Sequence, residues 1–325
     1  MHIVALGTAS ILFALYLPLC AKVVHPTVPP PAAAIRSLWV PPEDLSERDL
    51  FFGPWGPERA PEPRATYTLV EHKHTGVNPG LTVRDSRDRE WSVKQAPPEG
   101  QPPEGPIEVA LSRVLSAIGY HQPPVYFLPS FTLRDDWGTH VEPGGRFRLK
   151  DPLLKDRGSW SWQTSPLVGT QPYQGLLVVL LLVNASDLKN DNNTLYEYRT
   201  GDRTEQWFVV RDLGTALGGT GRLAPKRGDA AVFARHRFIT GVGDGFVQFG
   251  FRGYHQELIR GRITPQDVEW AGQLLARLDA RQWDEAFRAG GFTPAAAAPF
   301  ISVIKRRIDQ AVRIGGGAGI EGEGR

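Results

Sequence analysis

The sequence predicts an α+β protein in two lobes, a small antiparallel β lobe (residues 65–150) followed by a larger, mainly helical lobe (151–314). Three observations predict it. Between Tyr67 and Gln95, the runs TYTLVEH, GLTVRD and EWSVKQ are set apart by turn residues, the pattern of short half-buried strands. From Ile107 to Ile118, apolar residues recur at helical spacing. In the last third, the helix-start signals Thr264-Pro265, Asp279 and Thr293-Pro294 follow one another. A chain of 325 residues has room for one large domain or two lobes.

Composition excludes several classes. The chain has 37 basic against 35 acidic residues. Without a basic excess to neutralise phosphates, a nucleic-acid partner is not expected. The single cysteine, Cys20, lies in the N-terminal apolar run. An intramolecular disulfide and a thiolate zinc site are therefore excluded, and the rest of the chain offers no cysteine nucleophile. No internal repeat of solenoid or propeller length is visible.

In chain order, residues 3–21 are almost wholly apolar and suit a signal peptide or a membrane anchor within 1–22. An exported chain (periplasmic or extracellular) or a membrane-anchored one is expected. Lys22 and Arg36 follow the run, so an anchor would leave the body cytoplasmic. Residues 23–64 hold too many prolines for regular structure and read as a linker, polyproline II or docked coil. Phe51, Phe52 and Trp55 are candidates to tack it to the domain surface.

The third strand of the β lobe, EWSVKQ, carries Lys94. Gly76 and Gly80 form a turn ahead of the second strand, and two such glycines can free backbone N–H groups to face phosphates. Pro106 suits a first helical turn, and Gly119 ends the helix. Glu108 lies in its first turn, on the flank of the apolar stripe; Glu104 reads as part of a PPEGP turn. PPVYFLPSFTL is expected to be a bent strand or strand pair and GRFRLK one more, while WGTHVEPGG has no clear place. The apolar run 176–183 is too short to span a membrane and is read as a buried helix. TLYEYRTGDRTEQWFVV is a hairpin with Gly201-Asp202 in its turn. A second hairpin, ITGVGDGFVQFGFRG, precedes the helices. Trp160 and Trp162 are expected to pack where the lobes connect. The tail, 315–325, is expected to be disordered.

The chemistry concentrates in NASDLKNDNNTLYEY (184–198) and the VVRDLG segment after it. Pairing the hairpin strands brings Asn192 and Asp212 together, with Asp187 just upstream. Magnesium needs hard oxygen ligands and takes one or two carboxylates plus substrate phosphates. Phosphoryl transfer also needs a carboxylate that orients the attacking hydroxyl. An unrelated metal-dependent hydrolase using Asp187, Asp191 and Asp212 is the other chemical reading, but it lacks the usual clustered histidines.

The order Lys94, Glu108, DLKNDN (187–192) and DLG (212–214) resembles the catalytic core of the protein-kinase-like superfamily, nearer its divergent bacterial and atypical branches. The resemblance spans about residues 66–315, with motifs near 90–110 and 184–214. Ala185-Ser186 stands where His-Arg is usual, Leu213 replaces the phenylalanine of D-F-G, and no A-P-E motif follows the D-L-G segment. The resemblance implies a kinase-like phosphotransferase using ATP and Mg2+, with a hydroxyl acceptor on a protein or small molecule. It implies that Lys94 contacts the α- and β-phosphates, that Glu108 holds Lys94, with Glu104 the weaker candidate for that role, and that Gly76 and Gly80 lie over the phosphates. It further implies that Asp187 orients the acceptor hydroxyl, Lys189 neutralises the transferring group, and Asn192 and Asp212 bind magnesium. Asp191 and Asn193 are neighbours able to substitute if the register shifts by one. A pseudokinase or nucleotide-binding scaffold without transfer is the alternative.

Overall fold

The computed structural model describes residues 22–73, 80–96, 104–220 and 226–315. Gly76, the apolar run 3–21 and the tail from 316 lie outside them. Among the described residues no helix is long and apolar enough to cross a membrane. The layout is the expected α+β arrangement, a β-rich part followed by a mainly helical one.

The first lobe holds strands β1 (Thr66–Lys73), β2 (Gly80–Arg84), β3 (Glu90–Gln95), β4 (Val125–Asp135) and β5 (Gly138–Leu149). All neighbours pair antiparallel except β1 and β4, which run parallel and close the sheet into a barrel of order β1-β2-β3-β5-β4. Closure removes both sheet edges. Alternation sends Leu81, Val83, Trp91, Val93 and Phe147 into the barrel core and puts Ser92, Lys94, Arg146 and Arg148 on the other face. The segment with no clear place, WGTHVEPGG, is the turn and first half of β5. Pro143 and two glycines hide its strand character. A Cβ on Gly144 would lie 2.5 Å from the carbonyl oxygens of both Leu128 and Pro129, so the cross-strand approach requires glycine there.

Between β3 and β4 runs helix α2 (Glu104–Ala117), nearly every residue of which is buried. Glu104 is therefore not in a turn, as the sequence suggested, but opens the helix. Pro106 sits in the first turn, where it interrupts no intrahelical hydrogen bond. Gly119 ends the helix at φ 105°.

The larger lobe is built on helix α3 (Gln171–Leu182), buried on all sides. Thr170 caps it by accepting from Tyr173 N, and Pro172 stands in its first turn; these signals make the apolar run a helix rather than a strand. β6 (Leu154–Asp156), β7 (Asn193–Thr200) and β8 (Arg203–Val210) form a three-stranded sheet, with β7 and β8 the expected hairpin. A short helix α4 (Ala230–Arg235) and a second hairpin, β9 (Ile239–Gly243) with β10 (Phe246–Phe249), follow. Helices α5 (Pro265–Ala276) and α6 (Ala280–Ala289) start with capping boxes at Thr264 and Asp279. Helix α7 (Pro294–Gly315) packs chiefly on α5. Trp160 and Trp162 pack edge to face at 4.6 Å within the core of this lobe.

Residues 23–64 contain one short helix of about a turn and a half, α1 (Ala32–Arg36). They lie along the body, and Leu38, Leu45 and Leu50 are buried in its core. Phe51 and Phe52 stack edge to face, and Trp55 packs on Trp207 and Tyr198. The same segment holds the far end of α2. Trp39 Nε1 donates to Ile118 O at 2.8 Å, and Arg48 Nη1 donates to Ser116 O and Ala117 O at 3.2 and 3.1 Å. Arg113 Nε donates back to Phe51 O.

Candidate functional site

Lys94 leaves β3 on the face turned away from the barrel core. In register beside it stand Gly80 on β2 and Arg146 on β5. Gly80 begins its strand, and a Cβ there would stand 3.3 Å from Lys73 Cβ. The Lys94 ammonium meets three carboxylates. Asp212 Oδ1 is 2.5 Å away, Glu108 Oε2 3.2 Å and Glu104 Oε2 3.5 Å. Burial alone would lower its pKa, but Glu108 and Asp212 prevail and hold it above the ordinary lysine value.

Glu108 is buried in α2 and faces two cations, Lys94 and, at 3.0 Å, Arg146 Nε. Burial would raise its carboxyl, yet Arg146 and then Lys94 outweigh that and hold it at about 2. Arg146 is itself buried and drops to about 10, chiefly through burial, with Glu108 opposing. Glu104 also pairs with Arg227, which arrives after the D-L-G turn. The cluster thus sets Lys94, Arg146 and Arg227 against Glu104, Glu108 and Asp212. Such balance is what permits charges to be buried.

The loop after α3 is held by its own asparagines. Asn184 takes a left-handed conformation at φ 56°. Its amide donates to Gly218 O at 2.6 Å and accepts from Arg307 Nη1 at 3.0 Å. Asn190 Oδ1 accepts from Trp162 N at 2.9 Å, and Asn193 Nδ2 donates to Trp160 O at 3.1 Å. Asn192 Nδ2 donates to Asp187 O at 2.7 Å, which ties the loop across its five residues and leaves the amide oxygen out of that bond. Asp191 is exposed and Asn193 fully buried. Asp187 Oδ1 lies 3.2 Å from Lys189 Nζ, which in turn sits 4.7 Å from the centre of the Tyr254 ring.

Asp212 follows β8. Arg211 N donates to Asn192 O at 2.8 Å, so the hairpin's open end places Asn192 and Asp212 side by side. Asp212 is left-handed at φ 57°, which turns the chain toward α2. Gly214 then touches the first turn of α2: a Cβ would stand 2.7 Å from Glu104 Cβ and 2.8 Å from Glu104 O. The D-L-G turn is packed against the helix that carries Glu108, and only glycine allows that approach.

One carboxylate and one amide oxygen are fewer ligands than an all-protein cage needs. Among the described residues no group of three or more His, Cys, Asp or Glu is placed to hold a metal. They do match magnesium, which keeps waters and completes its shell with substrate phosphates. Asp212 is 42% exposed and engages Lys94 through Oδ1, so Oδ2 is the oxygen open to a cation.

The structure brings Lys94, Glu108 and Asp212 into one cluster and ties Asn192 to both Asp187 and Arg211. Three further residues escaped sequence reading. Arg146 had a signal: in GRFRLK, Phe147 alternates with two arginines that must share the opposite face. Arg307 had another, an arginine on the apolar stripe of α7. It donates to Leu182 O, Phe233 O and His236 O as well as Asn184. Tyr254 reaches the site through loop folding and had none.

No protein-family model and no curated protein matches the chain. Among solved structures it is similar to the Helicobacter pylori proinflammatory kinase CtkA, at 12% identity and TM-score 0.44, over 78% of this chain and 99% of that one. It is also similar to the Golgi casein kinase with Mn/ADP bound (11% identity, TM-score 0.40) and to a second structure of the Golgi casein kinase (11%, TM-score 0.42), each over 78% of this chain and 73% of that one.

Proposed function

We propose that this chain is a metal-dependent phosphotransferase that moves the γ-phosphoryl group of a nucleoside triphosphate, ATP by the resemblance, to a hydroxyl acceptor on a protein or small molecule. The observation that carries the reading is the convergence on one ammonium, Lys94, of Glu108 from α2 and Asp212 from the D-L-G turn.

Lys94, held by Glu108, meets the α- and β-phosphates. Asn192 through its amide oxygen and Asp212 through Oδ2 would hold magnesium, which would supply charge neutralisation at the phosphates. Asp187 orients the acceptor hydroxyl and takes its proton. The hydroxyl oxygen bonds to the γ-phosphorus as the bond to the β–γ bridging oxygen breaks, and the nucleoside diphosphate leaves with that electron pair. Lys189 sits beside Asp187 to offset charge on the group in flight. Positioning and fixed charge supply most of the rate in this chemistry.

The test is thermal stabilisation by ATP and by GTP, each with and without magnesium. A triphosphate at a hundred times its Kd adds about 2.7 kcal/mol to the folded state. Magnesium-dependent stabilisation by at least one of them, lost in Asp212→Ala, supports the site. No shift with either would overturn it. Transfer of labelled phosphate that disappears in Asp187→Ala separates a transferase from a scaffold.

A further inference from the structure

A cavity of about 360 Å3 adjoins the Lys94 cluster, within the size range of small-ligand sites. Ser92 in its roof lies two residues before Lys94 on the same strand face, and Arg211 in its floor directly precedes Asp212. A ligand whose phosphates reach Lys94 would put its other end here.

The charges around this cavity do not balance as those at Lys94 do. Arg211 is taken by Asp156 at 3.5 Å and by the Tyr196 hydroxyl at 3.2 Å. Lys150 is taken by Glu90 at 3.2 Å, and Asp151 by Arg59. Lys73 and Arg148 remain. Lys73 Nζ donates to Ser92 Oγ at 2.7 Å, and among the described residues neither cation has a carboxylate at ion-pair distance. Burial, then Arg148, Arg146 and Lys150, lowers the Lys73 ammonium to about 8, with Glu71 opposing, as expected where cations outnumber anions. Lysine and arginine only donate hydrogen bonds. They are satisfied by a ligand edge that only accepts.

Purine bases differ on this point. Guanine presents O6 and N7, two acceptors side by side, which an arginine or lysine meets well. Adenine presents N7 beside the N6 amine, a donor that would face the two cations. We infer that this cavity takes the nucleotide base and selects guanine over adenine, through Lys73 and Arg148. The inference rests on the nucleotide reading of the Lys94 site and names the substrate of that site as a guanine nucleotide.

The experiment measures binding of GTP, ITP, 7-deaza-GTP and ATP, each with magnesium, to the full chain by calorimetry. A well-placed pair of hydrogen bonds to O6 and N7 discriminates by roughly tenfold or more. GTP is expected to bind about tenfold more tightly than ATP. ITP, which keeps both acceptors, should follow GTP, and 7-deaza-GTP, which lacks N7, should fall toward ATP. The double variant Lys73→Met, Arg148→Leu should bring GTP and ATP to similar affinities. The analogue series needs no variant, so a misfolded double variant leaves the test intact. ATP binding as tightly as GTP, or 7-deaza-GTP matching GTP, would overturn guanine selection while leaving the phosphotransferase reading in place. Absence of binding by every nucleotide would overturn both.

Discussion

Replacing Glu108 by glutamine removes one negative charge from a site where the side chains of Glu108 and Arg146 are 6% and 4% exposed and that of Lys94 is 17%. The amide keeps the shape and leaves two buried cations facing a neutral group. With the carboxyl held at about 2 against an ordinary 4.5, ionisation favours the fold by roughly 3 kcal/mol at neutral pH. Breaking a buried pair from one side costs about 3–5 kcal/mol, and the two routes agree. The expected loss is therefore about 3 kcal/mol, read by urea unfolding followed through tryptophan fluorescence. Because the folded value is depressed, the stabilisation is complete above the unfolded value near 4.5. It is lost as pH falls through that value toward 2. The gap between wild type and Glu108→Gln should be flat above about pH 5 and narrow steadily below about 4.5. Adding Arg146→Met to Glu108→Gln should cost less than the sum of the single changes, since each removes the other's partner. A loss under about 1 kcal/mol, or a gap that stays constant down to pH 3, would refute the account of Glu108 as the anion shared by Lys94 and Arg146.

Two further outcomes follow from packing. Gly214→Ala would push the D-L-G turn off Glu104, costing about 1–3 kcal/mol as overpacking; it should also abolish magnesium-dependent nucleotide stabilisation, and a variant unchanged in both would contradict the close approach. Arg307→Met strips hydrogen bonds from three carbonyls and from Asn184, so urea unfolding should show a loss of about 3 kcal/mol or more; a loss below about 1 kcal/mol would mean that those groups find other partners.

What could be read from the chain was local. The hairpin TLYEYRTGDRTEQWFVV declares its register through Gly201-Asp202, and that register places Asn192 beside Asp212. The capping residues Thr264 and Asp279 mark helix starts within one turn. Lys94 and Glu108 were legible because strand and helix periods are short. The partners of those residues were not. Arg146 lies 38 positions from Glu108 by number and meets it only once the barrel closes. Glu104 was misplaced because three prolines and a glycine around it (Pro102, Pro103, Gly105 and Pro106) signal a turn, while a proline in a first helical turn signals nothing of the kind. The arm at 23–64 shows no periodicity, so its three buried leucines, Leu38, Leu45 and Leu50, looked like isolated apolar residues between prolines.

That arm has a consequence for how the helix carrying Glu108 behaves. A helix walled in by barrel, core and arm, with its last carbonyls already engaged by Trp39 and Arg48, has no vacant berth to swing into. Regulation that works by rocking such a helix in and out needs two resting places of similar energy, and here one is built in as the chain folds. An incoming ligand would meet a ready-made cradle and spend little of its binding energy on rearrangement.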